Sequence, residues 1–141
     1  MTENEKLFVK ECNFPKIRKL WKPRAGDIIY DRHYGKFGII YDVEINIKII
    51  YVSWLGGDDL SDFTPDENTI WLPSLSQIIE MISKKRFYCS LFCDINNEDS
   101  CCVIQNEKNN TAESFKEEGF FGATPEISAI KALKEVLKGE R

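Results

Sequence analysis

The spacing of apolar positions changes along the chain, and each change marks a predicted element. Short β-branched runs come first, in GDIIYD and GIIYDV, followed by the alternating run INIKIIYVSW. In that run Ile45, Ile47, Ile49 and Tyr51 fall on one face, with Asn46, Lys48, Ile50 and Val52 on the other. This is the pattern of a strand exposed at its start and covered on both faces near its end. The spacing predicts strands at 26–31, 38–43 and 47–54, the last two joined as a hairpin across Glu44–Asn46. Gly35 and Gly38 bracket the turn before the second strand. Residues 56–69, GGDDLSDFTPDENT, are turn formers and acids and read as a loop. IWLP at 70–73 reads as a short strand or an extended entry to a helix. Leu75, Ile78, Ile79 and Ile82 then keep the i, i+3, i+4, i+7 spacing of an amphipathic helix over 74–85. Ser74 and Gln77 form its capping box, and Lys84, Lys85 and Arg86 suit the negative end of its dipole.

Alternation returns at 87–95, where Phe87, Cys89, Leu91, Cys93 and Ile95 share a face. The polar turn NNEDS and the run CCVIQ complete a second hairpin, with its return strand at 101–105. Residues 105–119 are polar and read as a loop. Thr124 as N-cap, Pro125 at the first helical position and Glu126 in the first turn open a closing helix over 124–138. Its buried stripe is Ile127, Ile130, Leu133, Val136 and Leu137.

No helix separates the first three strands, so their pairing is antiparallel. The expected class is α+β: an antiparallel β-meander and hairpins with two main amphipathic helices packed on the sheet. The length of 141 residues fits one domain, or two very small subdomains sharing a core, and the single domain is the expectation. Within it, 1–24 is a basic N-terminal arm, 25–57 the β-meander, and 70–141 the helix, hairpin and C-terminal helix. KIRKLWKPR at 16–24 carries five positive charges and no acid. Pro15 and Pro23 disfavour helix there, giving an extended arm with Leu20 and Trp21 tucked against the core.

Composition narrows the function classes. Hydrophobic residues at 43% and charged residues at 30% are ordinary globular usage and exclude a collagen-like or disordered chain. No apolar run reaches the roughly 18–20 residues that span a bilayer. MTENEKLFVK lacks the apolar stretch of a signal peptide, so a cytoplasmic location with reduced thiols is expected. The net charge of −4 opposes broad electrostatic binding to nucleic acid.

Candidate chemistry is sparse. Cys89 and Cys93 would lie about 13 Å apart along a strand, too far for one metal ion, and adjacent Cys101 and Cys102 face opposite ways. The cysteines therefore read as small buried hydrophobes, with Cys89 and Cys93 on the buried face of their strand. His33, the only histidine, sits in a turn. Asp58, Asp59, Asp62, Asp66 and Glu67 lack the order of an EF-hand and read as a solvated loop. Neither phosphate-cradling glycine motif is present. No catalytic, cofactor-binding or metal-ligating residue is assigned. Two groups of residues suit a macromolecular partner instead. They are the basic stretch with its aromatic, Lys19, Trp21, Lys22 and Arg24, and the aromatic set Tyr30, Tyr34, Phe37 and Tyr41.

WKPRAGD at 21–27, taken with IWLPSLSQIIEMI at 70–82, resembles small uncharacterised proteins encoded by phages and prophages of low-GC bacteria. GFFGATPEISAIKALKEVL at 119–137 is similar to the closing helix of such proteins, including the phage ABA-sandwich group. Where that group has alanine after Pro-Glu-x, this chain has Ser128 and then Ala129. The resemblance implies a non-enzymatic accessory protein acting by binding another macromolecule, with no cofactor and no membrane. A protein is the expected partner, and nucleic acid is held weakly and non-specifically at most. Two alternatives stay open. One is a small enzyme with a Cys- or carboxylate-based site. The other is an acidic inhibitor of a host defence protein, its 58–67 acids aligned with Glu113, Glu117 and Glu118.

Overall fold

The computed structural model describes residues 1–57, 60–94, 99–106 and 117–139. In chain order the elements are α1 (Glu3–Cys12), α2 (Pro15–Leu20), β1 (Ile28–Asp31), β2 (Lys36–Glu44), β3 (Ile49–Trp54) and β4 (Leu60–Phe63). They continue with β5 (Thr69–Leu72), α3 (Leu75–Lys84), β6 (Phe87–Asp94), β7 (Asp99–Asn106), β8 (Glu117–Gly122) and α4 (Pro125–Lys138). Both sheets are antiparallel, and the chain is α+β with a β-meander. It divides into two compact units, Cys12–Pro73 and a second made of Met1–Glu11 with Ser74–Arg141.

The 12–73 unit is a five-stranded sheet of order β4-β3-β2-β1-β5, a meander whose last strand returns to pair with the first. Its inner face buries Ile29, Ile40, Ile50 and Val52, against which Trp21, Val43, Trp54 and Phe63 pack. Burial of β-branched side chains on one pleated face is what holds these short strands together. The buried positions of β3 are Ile50 and Val52, the face that carries Asn46 and Lys48 in the alternating run. Ile45 and Ile47 lie in the β2–β3 turn, 84% and 61% exposed, with Lys48 in the left-handed region at φ 55°. The expected strand start at 47 is corrected to Ile49. A further strand, β4, occupies a segment read as a loop, and β5 takes the short-strand alternative for 70–73.

The extended-arm expectation for 16–24 is also corrected over 16–20, which lie in α2, and the lead-in before it holds α1. Pro15 occupies the first turn of α2, where its missing N–H has no intrahelical duty, so it starts a helix instead of preventing one. The chain leaves α2 at Trp21 in extended conformation, ahead of Pro23.

In the other unit β6, β7 and β8 form a three-stranded sheet in that order. Helices α3 and α4 pack on each other, α3 against β6 and α4 against β7 and β8. Ser74 and Gln77 make the capping box at the start of α3, and the Thr124 hydroxyl accepts from Ile127 N at 3.2 Å to cap α4. Ser128 is fully buried and donates to Pro125 O at 2.9 Å, so the departure from alanine leaves no orphaned hydroxyl. Lys134 Nζ reaches Glu11 Oε2 at 2.8 Å and ties α1 to α4. The loop read over 105–119 narrows, because β7 runs to Asn106 and β8 starts at Glu117; residues 107–116 lie outside the described residues.

Candidate partner-binding surface

The basic stretch is fastened at two points, and both reduce what it can offer a partner. Arg18 donates to the backbone carbonyls of Glu67 and Thr69, each at 2.7 Å. Trp21 stacks on Trp71 with ring centroids 6.3 Å apart and donates its indole N–H to Asp27 Oδ2 at 3.0 Å. Asp27 is buried, and the same oxygen accepts from Arg24 N at 3.1 Å. A buried carboxylate must be satisfied in this way, and Trp21 does so. Trp21 is therefore an anchor of the fold. Lys19, Lys22 and Arg24 remain exposed, with Arg24 Nε 4.0 Å from Asp27 Oδ1.

Three of the four aromatics share the face of Ile28 and Ile39, and the fourth, Tyr34, lies in the turn. Tyr30 and Phe37 stand opposite each other on β1 and β2, half-buried, with ring centroids 4.9 Å apart. Tyr34 is exposed in the β1–β2 turn and meets His33 edge-on; its backbone N–H donates to buried Asp31 at 2.8 Å. Tyr41 is exposed on β2 and lies 6.0 Å from Tyr51. A β-bulge between Ile40 and Asp42 leaves Tyr41 unpaired and sets both Tyr41 and Asp42 outward.

Sequence reasoning missed the residues that make this face continuous. Leu72 lies opposite Ile28, Ile28 opposite Ile39, Ile39 opposite Ser53, and Ser53 opposite Leu60. One row of side chains thus crosses all five strands, buried at Leu72 and outward from Ile28 to Leu60. Ile28 is 43% exposed, Ile39 40% and Leu60 65%, with Tyr41 beside them at 47%. Scattered exposed apolar residues are ordinary, whereas neighbours in one cross-strand row form a patch. The doubled isoleucines of GDIIYD and FGIIYD were the available signal. In each pair one isoleucine is buried and the other outward. Carboxylates of Asp42, Glu44 and Asp62 border the patch near Tyr51. Partial burial, then the charges of Glu44, Asp42 and Asp62, raise the Tyr51 phenol above its ordinary pKa.

Compared with family models, curated proteins and solved structures, the chain matches none. The surface is therefore read from its own chemistry. Among the described residues no group of three or more metal-ligating side chains converges. Of the acids whose alignment an inhibitor would need, Asp58, Asp59 and Glu113 lie outside the described residues. Among the described residues, no helix is long and apolar enough to cross a membrane.

Proposed function

We propose that the protein is a cytoplasmic, non-enzymatic accessory protein of phage or prophage type that works by binding another protein. The observation that carries this reading is the outward row Ile28–Ile39–Leu60 with Tyr41, an apolar patch on the outer face of a paired sheet. Burying such a patch against a partner releases ordered water at about 25 cal/mol per Å² of apolar area. The carboxylates of Asp42, Glu44 and Asp62 at its border favour a partner surface that is apolar with flanking lysine or arginine.

Nucleic acid is the weaker partner in this reading. Arg18 is committed to backbone carbonyls and Trp21 to Asp27, leaving Lys19, Lys22 and Arg24 as the exposed cations of the stretch and no free stacking ring in it. Affinity for DNA or RNA is expected at a Kd above roughly 10⁻⁶ M at physiological salt.

The test is a quantitative pull-down from host extract with the wild-type chain and an Ile28→Asp, Ile39→Asp variant, both checked for fold by circular dichroism. A protein retained stoichiometrically by wild type and lost by the folded variant supports the surface. Equal retention by both overturns it. Submicromolar nucleic-acid binding that weakens when Lys19, Lys22 and Arg24 become alanine would replace the protein partner with a polyanion.

A further inference from the structure

The β6–β7 pair carries a second chemistry, independent of the binding face. Its register sets Cys89 opposite Ile104 and Cys102 opposite Leu91, so the two cysteines are diagonal neighbours on one face. Their Sγ atoms stand 3.2 Å apart. Cys102 is fully buried, and Cys89 is half-buried beside it. The remaining cysteines are placed differently. Cys101 points to the other face, opposite Phe92; Cys93 is exposed and its Sγ lies 3.6 Å from Ser100 Oγ; Cys12 belongs to the other compact unit.

We propose that Cys89 and Cys102 form a redox-active dithiol that a hydroperoxide converts into a cross-strand disulfide. The Cys89 thiolate attacks the terminal peroxide oxygen, breaking the O–O bond and releasing the remainder as alcohol or water. The product is a sulfenic acid on Cys89. The Cys102 thiol then loses its proton and attacks the Cys89 sulfur, and hydroxide leaves as water. Two thiols lose two electrons and two protons, and the peroxide is reduced.

The two roles follow from placement. Cys89 has the solvent access that a peroxide needs, whereas Cys102 is shielded, with its Sγ 3.2 Å from that of Cys89. The Cys102 S–H donating to Cys89 holds the Cys89 thiol below its ordinary pKa, against the upward pull of burial. That same hydrogen bond, burial and the Cys89 charge push Cys102 upward. The nucleophile and the resolving thiol are thereby distinguished. A disulfide requires an S–S distance near 2.05 Å. Closing from 3.2 Å moves the sulfurs together by roughly 1.2 Å.

The experiment treats the full reduced chain with one equivalent of hydrogen peroxide, blocks remaining thiols with N-ethylmaleimide and maps the product by mass spectrometry. Trypsin alone leaves residues 87–108 in one piece, so an Asp-specific protease is added to part 87–93 from 99–108. The expected product is a cross-linked pair of these peptides, lighter by two hydrogens, with Cys93 and Cys101 alkylated. A Cys93→Ser, Cys101→Ser variant should still close, and Cys89→Ser should lose the link entirely. Cross-linking that survives in Cys89→Ser overturns the assignment. So does a wild-type chain in which Cys89 proceeds to sulfinic acid with Cys102 left alkylatable. The wild-type map needs no folded variant.

Discussion

Replacing Gly38 with alanine should destabilise the protein, although alanine in a strand interior ordinarily stabilises by about 0.5–1 kcal/mol relative to glycine. Gly38 lies within β2, between Ile29 on β1 and Trp54 on β3. A methyl group there would run into Val52 Cγ1 and come within 2.9 Å of Trp54 Cε3. Neither neighbour is free to give. Val52 is fully buried, and the Trp54 ring is held by its indole N–H donating to Ser61 Oγ at 2.6 Å and by edge packing on Phe63 at 5.4 Å. Overpacking of this kind costs about 1–3 kcal/mol, which reverses the sign of the propensity effect. Val52→Ala alone removes buried methyls and should cost about 2 kcal/mol. If the alanine methyl at 38 settles into the space Val52 vacates, the double variant must be more stable than the sum of the singles by about 1–2 kcal/mol. Urea unfolding followed by tryptophan fluorescence gives the four free energies. Additivity within about 0.5 kcal/mol, or a neutral Gly38→Ala, would refute the close-approach argument.

Two other outcomes are expected. Thr124→Ala should lower stability by about 1 kcal/mol in the same assay, with Thr124→Ser recovering most of it, because the hydroxyl satisfies an otherwise orphaned N–H of α4. In an alkaline ultraviolet titration Tyr51 should ionise above the ordinary tyrosine value of about 10. Asp42→Asn with Asp62→Asn should bring it down, since both carboxylates oppose the phenolate. The sign for stability follows: folded Tyr51 holds its proton more tightly than the unfolded chain. Its contribution is intact below about pH 10 and is lost as pH rises through the folded value. A Tyr51 titration unmoved by both substitutions would refute the electrostatic assignment.

Helices α3 and α4 were legible because each carries its own boundary chemistry in sequence. Ser74 with Gln77, and Thr124 with Pro125, act within one turn and owe little to tertiary context. The strands missed in sequence, β4 and β8, are short and exist through their partners. LSDF at 60–63 has no strong β-propensity, yet Ser61, Asp62 and Phe63 each find a register partner on β3. Such strands are decided by pairing, which a local pattern does not contain. Gly38 is the same lesson at one residue. Beside Gly35 it resembles a turn marker, and only the approach of Trp54 and Val52 shows why a side chain is missing there. Pro15 was misjudged for the opposite reason. It was read as a breaker when its position, first in α2, makes it a starter.

The candidate sites divide along a similar line. Spacing along one strand shows correctly that Cys89 and Cys93 are far apart, and it places Cys101 and Cys102 on opposite faces. It carries no information about which residue a hairpin sets diagonally across. The NNEDS turn leaves several registers open, and a slip of one residue would exchange Cys101 for Cys102 on the helix-covered face. The observed register buries Cys102 and leaves Cys93 exposed, against the expectation that Cys89 and Cys93 share a buried face. The dithiol is thus a product of register, as is the row Ile28–Ile39–Ser53–Leu60 on the other sheet. In both cases the residue types were visible in the sequence. What makes them a site is a pairing fixed by burial, of the opposite face through Ile29, Ile40 and Val52 in one sheet and of the dithiol's own face through Ile104 and Cys102 in the other. Core packing thereby determines which polar, sulfur and apolar groups meet, and any substitution that shifts register should abolish the disulfide and the patch without touching their residues.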